Sequence, residues 1–399
     1  MSLAEIKSFQ TIEAGESQEF WDTWNGFVRR FGTTPFYFGG FVETYMDASR
    51  RLGWTPQIIV VKTQGKLAGV AALQTRGVLG NRTAASIFPR NYGTDFAIDP
   101  RERELFIRST LRFLFEKLRC QYLDLIMPTE SPNLELMRQF SSCMGLEFTI
   151  APLGKEYAEH SVIEVTGTWD EFKSSRGRKF VQRYREIERL LSRSGSWATE
   201  RTLLDRPEAV RMVETIEANS WKDAWRRERG IESDPNLPAF FAYWKLKSTV
   251  GGYLPELYIL KLSGQPIAYT IVMKLNGVAF LCKTSFDRRY GRASPGEYIQ
   301  NVAVQDLFES QEVVRIDFLT ALDYLNRWTA LHYIRERTMI SRTVPLLSGV
   351  VKTLKKSSLV RNAYNAYYHP GMVSRGSPPP QAVRGQASRE YHVSKSKHL

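Results

Sequence analysis

Cysteine is scarce in this chain, and the few cysteines form no recognisable pattern. The 399 residues include Cys120, Cys143 and Cys282, with no Cys-x-x-Cys pair and no Cys/His spacing typical of a zinc site. An odd cysteine count, in a chain whose first residues show no apolar signal segment, predicts a reducing compartment. A disulfide framework and a zinc-binding module are therefore excluded as the basis of function.

Long apolar runs and the common catalytic motifs are also missing. The sequence has no run of about 18 apolar residues, so we expect a cytoplasmic protein without a spanning helix. It contains no Gly-x-Ser-x-Gly elbow, no Walker loop and no His-Glu-x-x-His helix. None of the five histidines lies in a His-x-x-x-Asp acyltransferase motif. Serine-hydrolase, P-loop and zinc-protease chemistry are thus disfavoured, and no metal is expected.

Acidic residues are nearly absent from the end of the chain. From Lys352 onward nine Lys and Arg residues accompany one acid, Glu390, so this segment carries eight of the thirteen net positive charges. The remainder is only mildly basic, which disfavours a protein that binds nucleic acid with its whole surface, and no DNA partner is expected. Residues 346–356 predict a basic amphipathic helix that caps the core or contacts a membrane surface. The residues after Gly371 predict a disordered basic tail.

Helix signals are clearest in the second half. Thr168 and Glu171 form a capping box, and a helical pattern then runs from Phe180 to Leu191 and stops at Gly195. Residues 205–219 predict another helix. Ser294 and Glu297 predict a second capping box, with proline at the first helical position.

Strand signals lie between these helices. Leu257–Leu262, Pro266–Leu275 and Val278–Ser285 are β-rich, and the Asn276-Gly277 turn predicts a type I′ hairpin. A short strand, Val313–Leu319, follows the Ser294 helix.

The first half repeats this order. Gln57–Thr63 and Leu67–Thr75 predict a hairpin, a helix begins after Asp99, and Tyr122–Met127 predicts a strand. This pattern favours duplication of one α/β unit, with two unrelated α/β domains as the alternative. The boundaries are predicted at residues 1–165 and 166–345, with the basic helix and tail at 346–399.

The segment from Arg288 to Gly296 is the most informative for function. It joins a strand to a helix start, where unpaired N–H groups and a partial positive charge favour an anion such as a diphosphate. Arg288, Arg289 and Arg292 add full positive charges. The alternative is a loop that only turns the chain into the next helix.

These residues resemble a known element. Arg288-x-x-Gly291-x-Ala293 is similar to the Gln/Arg-x-x-Gly-x-Gly/Ala element with which GNAT acyltransferases hold the diphosphate of acyl-CoA. Its surroundings resemble the acetyltransferase family associated with cellulose and exopolysaccharide synthesis, over most of residues 30–335. In the second half, the segments that carry this resemblance are Gly264-Gln-Pro-Ile-Ala268, Ser294-Pro-Gly296, Asp317-Phe-Leu, Tyr324, Trp328, Ser220-Trp221-Lys222 and an Arg-rich helix with Arg178, Arg183 and Arg185. In the first half, they are Thr34-Pro35-Phe36 and the Phe88–Asp95 region. The chain departs from the family at Ala321 and Leu325, where glycine and lysine are often found.

The resemblance implies an α/β fold of two tandem GNAT-like lobes, each a mixed, mostly antiparallel sheet flanked by helices. It implies that acetyl-CoA or another acyl-CoA binds in the second lobe and that the acyl group passes to a sugar-containing or lipid-linked acceptor. The expected acyl-CoA contacts are Lys283, Arg288, Gly291, Arg292, Ala293, Ser294 and Gly296.

Acyl transfer also needs a base and a proton donor. Asp317, after the last predicted strand, is the preferred base, and its alternative is an exposed or helix-capping aspartate. Tyr324 is the candidate donor to the leaving thiolate, and its alternative is a core aromatic. Cys282 could act as a nucleophile, but a cysteine inside a strand is more often a small buried hydrophobe.

The acceptor is assigned to basic and aromatic residues upstream. Arg178, Arg183, Trp221 and Lys222 are the candidates, although Trp221 could be a core residue and the Arg-rich helix a solvated face. Two rival functions remain open. One is a Fem-like transferase that takes an aminoacyl group from tRNA, and the other is a GNAT scaffold without catalysis, which the changes at Ala321 and Leu325 would favour.

Overall fold

A computed structural model describes most of the chain. The described residues are 4–11, 17–78, 81–88, 92, 95–153, 158–204, 206–220, 222 and 255–342. All of them lie in one compact unit formed by Met1–Ala224 and Asp234–Val344. Trp221 and the predicted basic helix and tail at 346–399 lie outside the described residues. No helix within the described ranges is long and apolar enough to cross a membrane.

Eight α-helices occur in the described residues. They are α1 (Ser17–Phe31), α2 (Gly39–Arg51), α3 (Arg103–Arg112), α4 (Pro132–Cys143), α5 (Trp169–Arg176), α6 (Arg178–Ser194), α7 (Pro207–Ala218) and α8 (Pro295–Ser310).

Fourteen strands form one sheet in the same ranges. They are β1 (Ala4–Phe9), β2 (Thr55–Thr63), β3 (Lys66–Val78), β4 (Asn81–Ser86), β5 (Ala97–Ile98), β6 (Cys120–Pro128), β7 (Leu146–Ala151), β8 (Glu159–Glu164), β9 (Trp197–Leu203), β10 (Glu256–Leu262), β11 (Gln265–Leu275), β12 (Val278–Phe286), β13 (Arg315–Asp317) and β14 (His332–Arg342). The main order is β1-β2-β3-β4-β6-β14-β8-β13-β12-β11-β10-β9, with β5 beside β3 and β7 beside β14.

The predicted order of elements is confirmed in both halves. In the first half, β2, β3 and β4 are antiparallel neighbours, and α3 leads to β6, which is parallel to β4. In the second half, β10, β11 and β12 are antiparallel neighbours, and α8 leads to β13, which is parallel to β12. The fold is therefore a tandem α/β arrangement with a mostly antiparallel sheet.

The two half-sheets are joined by strands that cross between them. β14 pairs with β6 and β7 over Arg335–Arg342 and with β8 over His332–Ile334. β8 in turn pairs with β13. Strands from both halves therefore meet around β8 and β14, while the domain boundary after residue 165 stays a prediction.

Helices cover the sheet on both faces and bury the apolar side chains. In the second half, α6 and α8 pack over one face with residues such as Ile187, Leu191 and Ile299, all fully buried. The other face packs against α7 and the aromatic side chains of α1 and α2, including Trp24 and Phe41. A third cluster lies under α3 and α4. Burial of each large apolar side chain contributes roughly 1.5–3 kcal/mol.

Local signals account for several element boundaries. Thr168 accepts from the N–H of Glu171, and the Glu171 side chain accepts from the N–H of Thr168, which confirms the first capping box. Asn276 and Gly277 have φ values of 48° and 78°, as the type I′ turn requires. The second predicted capping box is wrong, because Ser294 makes no side-chain cap hydrogen bond and has a left-handed backbone, with φ of 47°.

Candidate functional site

The second half-sheet opens between β12 and β13. The two strands pair only from Val278↔Arg315 to Phe280↔Asp317, whereas β12 continues to Phe286. A β-bulge lies on β12 just beyond this point, because Ile271 faces Lys283 and Val272 faces Leu281. The bulge bends the strand. The result is a gap in the sheet at the end of β12, with α8 starting close by.

The loop that follows β12 is held by the Asp287 side chain and by backbone hydrogen bonds. The carboxylate of Asp287 accepts hydrogen bonds from the N–H of Arg289, at 2.9 Å, and from the Arg289 guanidinium. Desolvation is outweighed by these bonds, which lower the pKa of Asp287 below its usual value. The N–H groups of Arg288 and Tyr290 donate to Asn219 and Asp287 carbonyls. Most of the loop N–H groups that were predicted to bind a diphosphate therefore donate to acceptors within the protein. Donors for a ligand must come from the first turn of α8 and from side chains.

Gly296 serves packing. A Cβ on Gly296 would lie 2.8 Å from Cδ1 of Phe286, closer than real side chains approach. At Gly291 the nearest atom would be Phe286 Cε2, at an ordinary 3.6 Å. The lack of a side chain at Gly296 therefore lets α8 start directly against the end of β12.

Arg183 of α6 binds the side chains of both residues of the predicted capping box, Ser294 and Glu297. Its Nη2 donates to Ser294 Oγ at 2.7 Å and to Glu297 Oε2 at 3.2 Å. Glu297 also pairs with Arg327. Each of these arginines binds one oxygen of the Glu297 carboxylate, and the N–H of Ser294 donates to the Gly291 carbonyl instead of to Glu297.

A basic groove of about 560 Å³ opens beside this cluster. It is lined by Ser175, Arg176, Lys179, Phe180, Arg183, Tyr184, Glu297, Asn326 and Arg327. Three buried donors at or near it lack a hydrogen-bond partner among the described residues, namely Tyr184 Oη, Arg183 Nε and Trp328 Nε1. Tyr184 is only 8% exposed and lines the groove. Buried unpaired donors are costly, so the groove is suited to a ligand rich in acceptors, such as a phosphate.

On the α8 face, a polar chain crosses the end of β12. Gln300 donates to Thr284 Oγ1 at 3.0 Å and to Tyr324 Oη at 3.4 Å. Lys222 donates to the Thr284 carbonyl at 2.8 Å. Although 37% of Tyr324 is exposed, desolvation of its hydroxyl raises the pKa of Tyr324 above its usual value. The phenol therefore remains a proton donor at neutral pH.

On the opposite face, Lys283 is buried beside Glu217 of α7. Their charged atoms are 3.8 Å apart, and Glu217 also accepts from the Tyr269 hydroxyl. Cys282 lies next to Lys283, and burial raises the pKa of its thiol well above the usual value. A thiol held protonated is a poor nucleophile, which supports the interpretation of Cys282 as a small hydrophobe.

Asp317 lines a second cavity, of about 300 Å³. Its carboxylate lies 3.2 Å from Nδ1 of His160, whose Nε2 is 2.6 Å from Nη1 of Arg335. The three residues are 6%, 1% and 2% exposed. Asp95, Tyr333 and Arg315 also line this cavity. Sequence reasoning missed His160 and Arg335, because neither lies in a motif and β8 and β14 meet only in the folded chain.

The structure brings some predicted site residues together and separates others. Ser294 and Arg183 touch each other, and Lys222, Lys283 and Tyr324 surround the end of β12. Arg288, Arg292 and Arg178 are exposed side chains, and Ala293 is buried in the core beneath the loop. Asp317 lies at the end of the gap, in its own cavity. These roles stay predictions, and Trp221 lies outside the described residues.

The gap between β12 and β13 and most residues of the basic groove lie in a segment that is similar to a GNAT acetyltransferase domain. The family model described as "Acetyltransferase (GNAT) domain" matches residues 178–327, which run from the start of α6 to the short helix after β13. No curated protein matches the chain by sequence.

Solved structures show the same overall fold at low sequence identity. FemX is 12% identical with a TM-score of 0.56, and the match covers 87% of this chain and 99% of FemX. The L-PGS of Bacillus licheniformis is 12% identical, with a TM-score of 0.52 and coverage of 88% and 98%. The C-terminal domain of a putative lysylphosphatidylglycerol synthetase from Agrobacterium fabrum is 10% identical, with a TM-score of 0.52 and coverage of 84% and 94%. Identities this low establish the fold alone.

Proposed function

We propose that this protein is an acyl-CoA-dependent transferase, in the simplest case an acetyltransferase, that acylates an amine or hydroxyl of a sugar-containing precursor of a polysaccharide or the cell envelope. The observation that carries the proposal is the groove at the start of α8. It combines basic side chains with buried donors that have no partner among the described residues, at the helix start that packs against the end of β12. This combination suits the diphosphate of a CoA ester at one end and its thioester at the other.

Particular side chains of the groove are the proposed contacts of the diphosphate. Arg183, Arg327 and Lys179 supply charge, and the Tyr184 hydroxyl supplies a neutral donor. The first turn of α8, with Gly296, adds backbone N–H groups and the helix dipole. The acyl-CoA supplies an activated acyl carbon. Backbone N–H groups of β12 near Lys283 are the proposed donors to its carbonyl oxygen.

The two catalytic candidates face opposite sides of the gap. Asp317 accepts the proton that the acceptor nitrogen or oxygen loses as it bonds to the acyl carbon. The carbon–sulfur bond then breaks, and Tyr324 donates its proton to the leaving thiolate. Solvent restores both residues to their starting states. Asp317 shares its cavity with Phe280, whereas Tyr324 is bonded to Gln300 of α8, so base and acid do not exchange protons directly.

The acceptor proposal rests on the surface of α6 and on the sequence resemblance. Arg178, Arg185 and Arg189 are exposed on α6, and Arg–phosphate pairs would suit a nucleotide-sugar or lipid-linked sugar. Lys222 and Trp221 remain proposed acceptor contacts. Within this proposal the second lobe, residues 166–345, holds the acyl-CoA, and the tail after residue 345 is a proposed contact with the inner membrane face of a cytoplasmic protein.

A thermal-shift measurement tests the proposal directly. Acetyl-CoA at 100 times its Kd should stabilise the folded chain by about 2.7 kcal/mol, which a rise in Tm detects. S-acetylpantetheine, which lacks the diphosphate, is the matched ligand and should give a much smaller rise. Release of free CoA thiol in the presence of glucosamine then tests transfer. The proposal fails if acetyl-, propionyl- and longer-chain CoA esters all leave Tm unchanged.

A second candidate function is aminoacyl transfer from tRNA. The exposed arginines of α6 favour it, and the fold is shared with FemX. Binding to an aminoacyl-tRNA that falls steeply with salt, together with no response to CoA esters, would replace the first proposal with this one. The scaffold alternative draws support from Leu325, which stands where the family often has lysine and is fully buried in the core.

A further inference from the structure

His160 lies between two charged residues that belong to neighbouring strands. Its Nδ1 is 3.2 Å from Oδ1 and 3.3 Å from Oδ2 of Asp317 on β13. Its Nε2 is 2.6 Å from Nη1 of Arg335 on β14. The imidazole is 1% exposed and lies on β8, the strand that joins β13 to β14. A buried chain of arginine, histidine and aspartate thus spans three strands where the two half-sheets meet.

The arginine determines where the imidazole carries its proton. A guanidinium can only donate hydrogen bonds, so Nε2 of His160 must accept from Arg335. The ring proton of the neutral imidazole is therefore on Nδ1, where it donates to the Asp317 carboxylate. With its lone pair engaged by Arg335, His160 is not free to take a proton from a substrate. It can act only through Asp317.

The surrounding backbone also serves this carboxylate. The N–H of Leu319 donates to Oδ1 of Asp317 at 2.6 Å. Leu319 reaches this position with φ of 56°, a left-handed conformation that is unfavourable for a residue other than glycine. Strain of this kind persists where the surrounding structure enforces it, often at functional sites. Two donors thus hold the Asp317 carboxylate at the wall of its cavity.

We propose that His160 is a positioning residue, which Arg335 locks as the Nδ1–H tautomer and which fixes the Asp317 carboxylate in the orientation that accepts the acceptor's proton. The expected effect of His160 on kcat rests on the proposed transferase function. The Nδ1–H tautomer of His160 does not depend on that function. Arg335 belongs to the strand that pairs with both half-sheets, so the orientation of the base depends on the joint between them.

The tautomer is tested by ¹⁵N NMR of the full chain labelled at its five histidines. The signal of His160 is assigned by its loss in His160→Asn. We expect a protonated Nδ1 and a non-protonated, hydrogen-bonded Nε2. Arg335→Lys keeps a donor and should preserve this state, whereas Arg335→Met should shift proton population to Nε2. A wild-type spectrum with the proton on Nε2, or an Arg335→Met spectrum identical to wild type, overturns the proposal.

The positioning role is tested by kinetics with acetyl-CoA and glucosamine. His160→Leu should lower kcat about 10- to 100-fold, because small misplacement of a catalytic group is enough for such a loss, with KM for acetyl-CoA unchanged. His160→Asn retains an N–H donor towards Asp317 and should recover most of that loss. His332→Asn, on the partly exposed histidine of β14, is the control and should stay within about twofold of wild type.

The outcomes separate this inference from the proposed function. Equal losses in His160→Leu and His160→Asn would show a merely structural histidine and overturn the positioning role. A wild-type protein that has the expected tautomer but shows neither a Tm shift with acetyl-CoA nor thiol release contradicts the transferase proposal instead.

Discussion

The guanidinium of Arg183 donates to the hydroxyl of Ser294 at 2.7 Å, and this bond ties the middle of α6 to the start of α8. Side chains that would have capped α8 are instead bound to an arginine at the mouth of the basic groove. The start of α8 therefore has no side-chain cap from Ser294. An anionic ligand in the groove could accept hydrogen bonds from the N–H groups of the first turn of α8.

Arg183→Met should weaken acetyl-CoA binding. A charge-assisted hydrogen bond contributes about 1.5–3 kcal/mol, which corresponds to roughly a 10- to 150-fold rise in Kd. Isothermal titration with acetyl-CoA measures it, and binding of S-acetylpantetheine should be unaffected. Arg185→Met removes an exposed arginine of the same helix and is the matched control. Equal effects of the two substitutions would point to a diffuse charge effect rather than a diphosphate contact.

Gly296→Ala should destabilise the fold by about 1–3 kcal/mol, the usual cost of overpacking. The added Cβ would meet Phe286 Cδ1 at 2.8 Å, whereas at Gly291 the closest approach is 3.6 Å. Gly291→Ala should therefore stay within about 0.5 kcal/mol of wild type. Urea unfolding measures both variants. Since the clash is with one ring, Phe286→Leu in the Gly296→Ala background should restore part of the loss. Equal stability of the two alanine variants would contradict the packing role.

Much of the fold was predictable because local signals coincided with tertiary contacts. The β10–β11–β12 hairpins follow from alternating apolar residues and from turns whose residues accept positive φ, such as Asn276-Gly277. The α6 stripe of Phe180, Tyr184, Ile187 and Leu191 is buried as its spacing predicts.

Edge and joining strands were not predictable in the same way. The polar strand β9, Trp197–Leu203, is mostly exposed and carries no apolar alternation. The pairing of β14 with β6, β7 and β8 depends on contacts about 200 residues apart in sequence, as in Ile340↔Leu123. The site shows the same limit. Asp317 and Tyr324 could be predicted as site residues from the family resemblance. His160 and Arg335 could not, because they come together only when β8, β13 and β14 lie side by side in the sheet.

Tyr324→Phe should lower kcat and leave KM for acetyl-CoA nearly unchanged. Loss of a general acid costs about 10²–10⁴-fold, and because the pKa of Tyr324 is raised, its hydroxyl remains protonated across the neutral range. The reduction should therefore be uniform from about pH 6 to 9, since an ordinary tyrosine already titrates only near 10. Tyr122→Phe on β6 is the control. Unchanged kcat in Tyr324→Phe would remove this residue from the mechanism.

Asp95 is a buried carboxylate whose pKa is raised by desolvation, even though Ser131 Oγ and Asn133 Nδ2 donate to it. In the window between the unfolded pKa, about 3.9, and the raised folded pKa, the native state binds more protons than the unfolded state. Its contribution to stability is therefore fully present below the unfolded pKa and is lost as pH rises through the folded pKa. Within that window the free energy of unfolding changes by at most about 1.4 kcal/mol per pH unit because of Asp95.

Asp95→Asn removes the titration, so the stability of this variant relative to wild type should fall as pH is lowered from 7.5 towards 4. Urea unfolding of both chains across this range measures the difference, with the exposed Asp22→Asn of α1 as control. A constant difference across the range would show that Asp95 does not titrate there.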